Sequence, residues 1–151
     1  MTEIPKCTLV PTRFYDEKVS RCILSELFPL DDTDTVSSME FPQYDAVMVY
    51  AGDRPPVLCD MLAAAQRCDE YNKVLVSYDG SSVSIVLAQG SRLLLANNYP
   101  AMDFTTAEYF IFFAMKSLQL NPEVSTIMMM TPLSADEEMS LYRYFKSVEQ
   151  I

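Results

Sequence analysis

Apolar positions along this chain occur in short runs whose spacing changes from that of strands to that of helices. Between residues 73 and 120, three strand-like runs follow one another closely and precede one helix that is apolar on nearly every side. The strands are separated at Asp79-Gly80 and at Gly90, which are hairpin signals because glycine accepts a positive φ in a tight turn. A helix that is apolar all round must be covered on more than one side. We therefore expect this helix to lie between a sheet and another element, domain or subunit.

The remaining runs continue this alternation of strands and helices. The run that follows Ser125 is continuously apolar, as in a parallel strand buried on both faces. Ser134, with Glu137 three positions later, predicts a capping box at the start of the last helix. Earlier in the chain, the same criteria predict strands over residues 7–11, 36–41 and 46–51, and helices from Asp16 to about Phe28 and over about 57–68.

The resulting order is roughly βαββα-βββαβα, an α/β chain with a mixed sheet and helices on its faces. The second part has the strand and helix order of a ribonuclease-H-like or actin-like ATPase half. We therefore divide the chain into residues 1–72, a partial first lobe with a strand, a helix, two strands and a helix, and residues 73–151, a second lobe. A length of 151 residues is sufficient for a hydrophobic core without disulfides or metals.

Charge and composition exclude several classes of function. The formal net charge is -10. This charge disfavours the binding of nucleic acid, because contacts to phosphates require a positively charged surface. The chain contains no histidine, so histidine bases, histidine-containing triads and histidine-ligated zinc are excluded. The four cysteines form no CxxC pair and are expected to be free, mostly buried thiols.

Two further features bear on the compartment. No apolar stretch reaches the roughly 18 residues that a membrane-spanning helix requires. The first residues also lack the charged and then apolar pattern of a signal peptide. We expect a cytoplasmic protein without membrane insertion.

The first candidate for chemistry is the predicted hairpin turn that comprises Ser77, Asp79, Gly80, Ser81 and Ser82. Backbone N–H groups in such a turn hold nucleotide phosphates in some proteins, and the serine hydroxyls provide further donors. An Asp-Gly pair is also common in hairpin turns that bind nothing, so a plain turn is the alternative.

The second candidate site is a set of three carboxylates, Asp79, Asp103 and Glu108. A metal-dependent nuclease would require carboxylates that converge on a metal ion. Their predicted positions in a turn and in a helix do not obviously converge.

Four motifs resemble an uncharacterised bacterial family of the actin-like ATPase superfamily. An early strand has the form TLVP followed by an aromatic residue, and a later leucine-rich strand ends in asparagine and an aromatic residue. A helix begins with threonine, glutamate and two aromatic residues, and it ends at LNPE. In this chain the motifs are Thr8 to Pro11 with Phe14, Asn97 or Asn98 with Tyr99, Thr106 to Phe110, and Leu120 to Glu123.

The resemblance implies an actin-like fold, and two departures from it bear on activity. Members of the family are longer, so Met1 is expected to be an internal methionine, or the chain a fragment, that lacks the first phosphate loop. The aspartate that the superfamily carries before the glycine of its second loop falls near Ser77, and without it no carboxylate organises a metal-bound phosphate.

We therefore expect a non-catalytic scaffold or partner-binding module of unknown function that needs no cofactor. Its contact to a protein partner, or to itself, would be the apolar helix over residues 105–119. The alternative is an ATPase or kinase-like enzyme that binds ATP and Mg²⁺ through residues 77–82.

Overall fold

The computed structural model describes residues 5–151, so the expectation about Met1 lies outside the described range. Strands and helices alternate as the sequence predicts, with one additional strand at the end. The strands are β1 (Cys7–Pro11), β2 (Val36–Phe41), β3 (Ala46–Ala51), β4 (Asn72–Tyr78), β5 (Ser82–Gln89), β6 (Arg92–Pro100), β7 (Thr126–Met129) and β8 (Ser147–Gln150). The helices are α1 (Ser20–Leu27), α2 (Val57–Arg67), α3 (Phe104–Ser117) and α4 (Ala135–Tyr142).

The first sheet has the strand order β1-β3-β2, and both pairings are antiparallel. Side chains alternate between its two faces, as strand geometry requires. Val49 on one face packs with Leu24 of α1, whereas Met48 and Tyr50 on the other face pack towards α2. Helix α1 therefore covers one side of this sheet, and α2 covers the other.

The second sheet has the strand order β6-β5-β4-β7-β8. Strands β4, β5 and β6 are antiparallel neighbours, whereas β7 is parallel to both β4 and β8. The predicted central parallel position of β7 is thus confirmed, and its four residues are all buried. A three-stranded meander extended by parallel strands through helical connections is the mixed α/β arrangement that the sequence predicts.

Both faces of the second sheet are covered by helices. On one face, strand residues pack against α3 and α4, and on the other they pack against α2. Because α2 also contacts the first sheet, the layers follow the order α1, first sheet, α2, second sheet, and then α3 with α4. The α2 side chains that fill the space between the sheets include Leu58, Met61, Leu62 and Ala65, which the helical spacing of the sequence places on one side.

Two local features differ from the prediction, and a third agrees with it. Strand β8 was not predicted, because its four residues alternate weakly and carry Glu149 and Gln150. The sequence offers Thr105 or Thr106 as the cap of helix α3, but Asp103 caps it, because the Asp103 carboxylate accepts the Thr106 N–H. The capping box of Ser134 and Glu137 is confirmed.

Candidate functional site

The predicted phosphate loop is a tight hairpin turn between β4 and β5. Gly80 adopts φ +93°, and the Asp79 N–H donates to the Ser82 carbonyl across 3.3 Å. The Asp79 Oδ1 atom accepts the N–H of Ser81 at 2.9 Å, the N–H of Ser82 at 2.8 Å and the Ser81 hydroxyl at 3.0 Å. The backbone N–H groups that a phosphate would use therefore already bind a carboxylate of the same turn.

The charge of Asp79 follows from these contacts. Partial burial raises the pKa of its carboxyl group, but hydrogen bonds from Ser81 and Ser82 outweigh burial, and the pKa lies below its usual range. The carboxylate is accordingly ionised at neutral pH. A phosphate that approached this turn would meet a negative charge as well as occupied donors.

A row of polar side chains crosses the second sheet beside the turn. Ser77 on β4 is opposite Ser84 on β5, and Ser84 is opposite Asn98 on β6. The Asn98 Nδ2 atom donates to the Ser84 hydroxyl at 2.8 Å and to the Ser82 hydroxyl at 3.2 Å. The Asn98 Oδ1 atom is buried and has no hydrogen-bond partner among residues 5–151. The sequence indicated Asn98 only as part of a family motif, and it did not indicate Ser84 at all. The signal that finds them is a polar residue at matching cross-strand positions of apolar strands.

These side chains line a cavity of about 210 Å³ next to the start of α2. Pro56 precedes α2 and supplies no side-chain cap, so the first turn of this helix has no side-chain acceptor from its N-cap residue. Drug-sized ligands occupy pockets of about 300–1,000 Å³, so this cavity fits only a smaller polar molecule. Its lining residues are Pro5, Val57, Ser77, Asp79, Ser82, Ser84 and Asn98.

The predicted carboxylate set is used for local structure at two of its three positions. Asp79 closes the hairpin turn, and Asp103 caps α3, where the N–H and hydroxyl of Thr106 lower the pKa of its carboxyl group. Glu108 lies farther along α3. Among residues 5–151, no group of three or more histidine, cysteine, aspartate or glutamate side chains is arranged to hold a metal ion.

Helix α3 buries one side and exposes aromatic rings on another. Ala107, Ile111, Ala114 and Met115 are buried against the second sheet. Tyr109 and Phe113 remain 61% and 59% exposed.

Within residues 5–151, no helix combines the length and apolar character needed to span a membrane.

Comparisons with known proteins place this architecture in a known fold. A crystal structure from Bacteroides thetaiotaomicron, of a protein with actin-like ATPase fold and unknown function, superimposes with a TM-score of 0.79 at 16% sequence identity. The alignment covers 97% of this chain but 65% of the other, so this chain spans about two thirds of the length of its structural neighbour. The chain has an actin-like ATPase fold, as the four sequence motifs implied.

Comparison of the sequence with known proteins identifies its family, and the function of that family is unknown. No curated protein matches the chain. A family profile described as "Protein of unknown function (DUF3822)" matches residues 1–148. This chain is therefore a member of the DUF3822 family of proteins of unknown function.

Proposed function

We propose that this chain is part of a non-catalytic protein with an actin-like fold, which acts by binding a protein partner or by self-association. Residues 1–72 would be a partial first lobe and residues 73–151 the second. The protein would need no cofactor and would work in the cytoplasm. Its net charge of -10 supports a protein partner in preference to nucleic acid.

The observation that carries this proposal is the internal carboxylate in the hairpin turn. In a phosphate-binding turn, the N–H groups point to an open site and are unpaired until the anion arrives. Here the N–H groups of Ser81 and Ser82 bind Asp79 at 2.9 and 2.8 Å. Phosphate binding would require the turn to lose these bonds and to expel an ionised side chain.

The exposed side of α3 supports a role in contact with another protein. Tyr109 and Phe113 stack at a centroid distance of 6.0 Å, and Met102 beside the start of the helix is 69% exposed. Single exposed apolar residues are ordinary, but contiguous exposed aromatic rings are typical of interaction sites. The expected contact surface therefore includes the predicted region 105–119.

The first test is the response of the protein to Mg-ATP. We expect no ATP hydrolysis and a change in melting temperature of less than about 1 °C at millimolar Mg-ATP, because a ligand that does not bind the native state cannot stabilise it. The measurement is differential scanning fluorimetry with and without Mg-ATP, with Mg²⁺ alone as the control. A rise of several degrees that requires the nucleotide would contradict the proposal.

A nucleotide-binding ATPase or kinase-like enzyme is the second candidate. The cavity of about 210 Å³ beside Ser77 and Ser82 favours it, because the buried hydroxyl groups next to the turn would hold the phosphate end of a nucleotide, although the cavity is too small for the whole molecule. Such an enzyme would also need an opposing phosphate loop from outside this chain or from another subunit.

Calorimetric titration with Mg-ATP distinguishes the two candidates. If the second candidate is correct, the loop of the wild-type chain binds Mg-ATP weakly but measurably without the opposing loop. Ser82→Ala then weakens this binding at least about tenfold, since a lost hydrogen bond to a charged group costs roughly 1.5–3 kcal/mol. Ser91→Ala is the matched control, because Ser91 is an exposed serine at the other hairpin of β5. Gly80→Val is unsuitable, since a β-branched residue at φ +93° distorts the turn under either candidate.

A further inference from the structure

Strand β6 is an exposed edge of the second sheet and differs from the other edges in the described part of the chain. It has nine residues, whereas the edge strands β1, β2 and β8 have five, six and four. Strands β2 and β8 carry glutamate, and β1 ends in proline. Proteins usually protect sheet edges with short strands, charges or proline, because unpaired backbone groups bind other strands.

The sequence of β6 provides this protection only at its ends. Arg92 begins the strand and Pro100 ends it, and the positions between them are uncharged. None of its nine residues is fully buried, although the neighbouring β5 is buried at seven of its eight positions. The Asn98 N–H is bonded to the Asn97 side chain at 2.9 Å. A pairing strand can replace that side-chain contact with a backbone contact.

Aromatic rings connect this edge to the exposed side of α3. Tyr99 of β6 stacks on Phe110 at 4.8 Å, Phe110 contacts Tyr109 at 5.6 Å, and Tyr109 stacks on Phe113 at 6.0 Å. We call these four rings the aromatic ladder. It leads from a partly buried ring on the edge strand to two rings that are about 60% exposed.

Another side of α3 is covered by the chain itself. Phe112 packs against Tyr144 at 4.8 Å and Phe145 at 5.7 Å, in the segment that follows α4. The aromatic ladder lies on the side of α3 that is next to β6. Within residues 5–151, no strand pairs with the outer edge of β6, although Ala96 and Asn97 share a cavity with Cys7, Thr8 and Leu9 of β1. The exposed side of α3 and this edge are therefore adjacent and form one surface.

We infer that a second copy of this chain occupies this surface, with β6 pairing antiparallel to β6 of the second copy. This inference rests on the proposed function and names its partner. Antiparallel pairing of a strand with itself is two-fold symmetric, so the same patch serves both subunits. It joins two five-stranded sheets and places both aromatic ladders on the same face, where each covers the other.

The charges on this surface favour a second copy. Each subunit has a net charge of -10, so two copies can approach only where acidic side chains are sparse. Strand β6 has no acidic residue, and Thr105, Tyr109, Phe113 and Ser117 form an uncharged stripe at intervals of four residues on α3. A basic protein partner would meet almost no acidic side chains on this surface.

The size of the surface sets the expected affinity. A fully buried Tyr or Phe contributes about 150–250 Å², so each ring of Tyr109 and Phe113 has roughly 100–150 Å² left to bury. Adding the two strand edges gives an interface near the lower end of stable complexes, on the order of 1,000 Å² in total. We expect a dimer with a dissociation constant on the order of micromolar.

Sedimentation velocity over roughly 1–200 µM tests the dimer with two variants and two controls. Asn97→Lys introduces an edge charge at an exposed position of β6, and Phe113→Glu introduces a charge in the aromatic ladder. Each should weaken the dimer at least about tenfold. The controls are Ser37→Lys at the exposed edge strand β2 and Met139→Glu on α4, where Met139 is 62% exposed. Neither control should change the dissociation constant, and circular dichroism should show all four variants folded.

The outcomes separate this inference from the function on which it rests. A wild-type chain that stays monomeric throughout, or an Asn97→Lys variant that still dimerises like the wild type, would overturn the pairing of β6. Hydrogen exchange gives a second readout, because β6 amides should be protected at high and not at low protein concentration. If the chain stays monomeric and does not bind Mg-ATP, the homodimer is excluded, but the proposed binding of another protein is not contradicted. Nucleotide binding by the chain would instead contradict the proposed function.

Discussion

Replacing Leu62 by alanine should lower the free energy of unfolding by about 3–4 kcal/mol, within the range observed for large-to-small changes in protein cores. Leu62 is fully buried in α2, which is the layer shared by the two sheets. Its removal leaves a cavity that neither sheet can fill without moving relative to the other. The melting temperature should fall by roughly 10 °C, since 1 kcal/mol corresponds to about 2–4 °C for a domain of this size.

Gln66→Ala is the matched control for this prediction, because Gln66 is exposed on the same helix. Its effect should remain within about 0.5 kcal/mol. Urea denaturation followed by circular dichroism measures both variants. Since α2 packs against both sheets, Leu62→Ala should shift one cooperative transition. A loss of less than about 1 kcal/mol, or a shift in only one of two separate transitions, would show that α2 does not join the two sheets.

Alkaline pH should destabilise the fold through two thiols, the partly buried Cys7 and the buried Cys59. Burial raises the pKa of Cys7 and of Cys59 from 9.0 to about 11, and the neighbouring Cys7 and Asp60 contribute further to the rise at Cys59. The unfolded chain loses these protons near pH 9, whereas the folded chain keeps them until about pH 11. The stability that the neutral thiols contribute is therefore complete below pH 9 and is lost as the pH rises through that interval.

The expected loss is about 2–3 kcal/mol for each thiol, because each tenfold difference in proton affinity corresponds to about 1.4 kcal/mol. Urea denaturation at pH 8 and at about pH 10.5 measures this loss. In Cys59→Ala the decrease between these two pH values should be smaller by about 2 kcal/mol. Cys22→Ala is the control, because Cys22 is exposed and its replacement should leave the pH dependence unchanged. Equal slopes for all three proteins would contradict this account.

Local patterns predicted the elements whose structure depends on nearby residues. The hairpin at Asp79-Gly80 forms as expected because only a residue that tolerates positive φ fits its turn. Strand β7 was placed correctly because a short, uninterrupted apolar run is typical of a strand that is covered on both faces. The capping box of α4 forms because both of its hydrogen bonds lie within four residues.

Other features escaped prediction because they depend on residues that are distant in the chain. Strand β8 exists because β7 offers it a parallel edge, and its own sequence gives little sign of a strand. The polar row of Ser77, Ser84 and Asn98 comes from three strands and appears only when their register is fixed. The sequence also identified Asp79 as a candidate phosphate-loop residue, and only the structure shows its carboxylate bound to the N–H groups of that loop.

The sequence alone determined the alternation of strands and helices, the tight turns and the apolar character of α3, because each of these follows from interactions within a few residues. It also excluded histidine chemistry. The tertiary structure decided the layer position of α2, the grouping of polar side chains around a cavity, and the side of α3 that stays exposed. These depend on which strands pair and in which register, and that choice is made by burial of the whole chain.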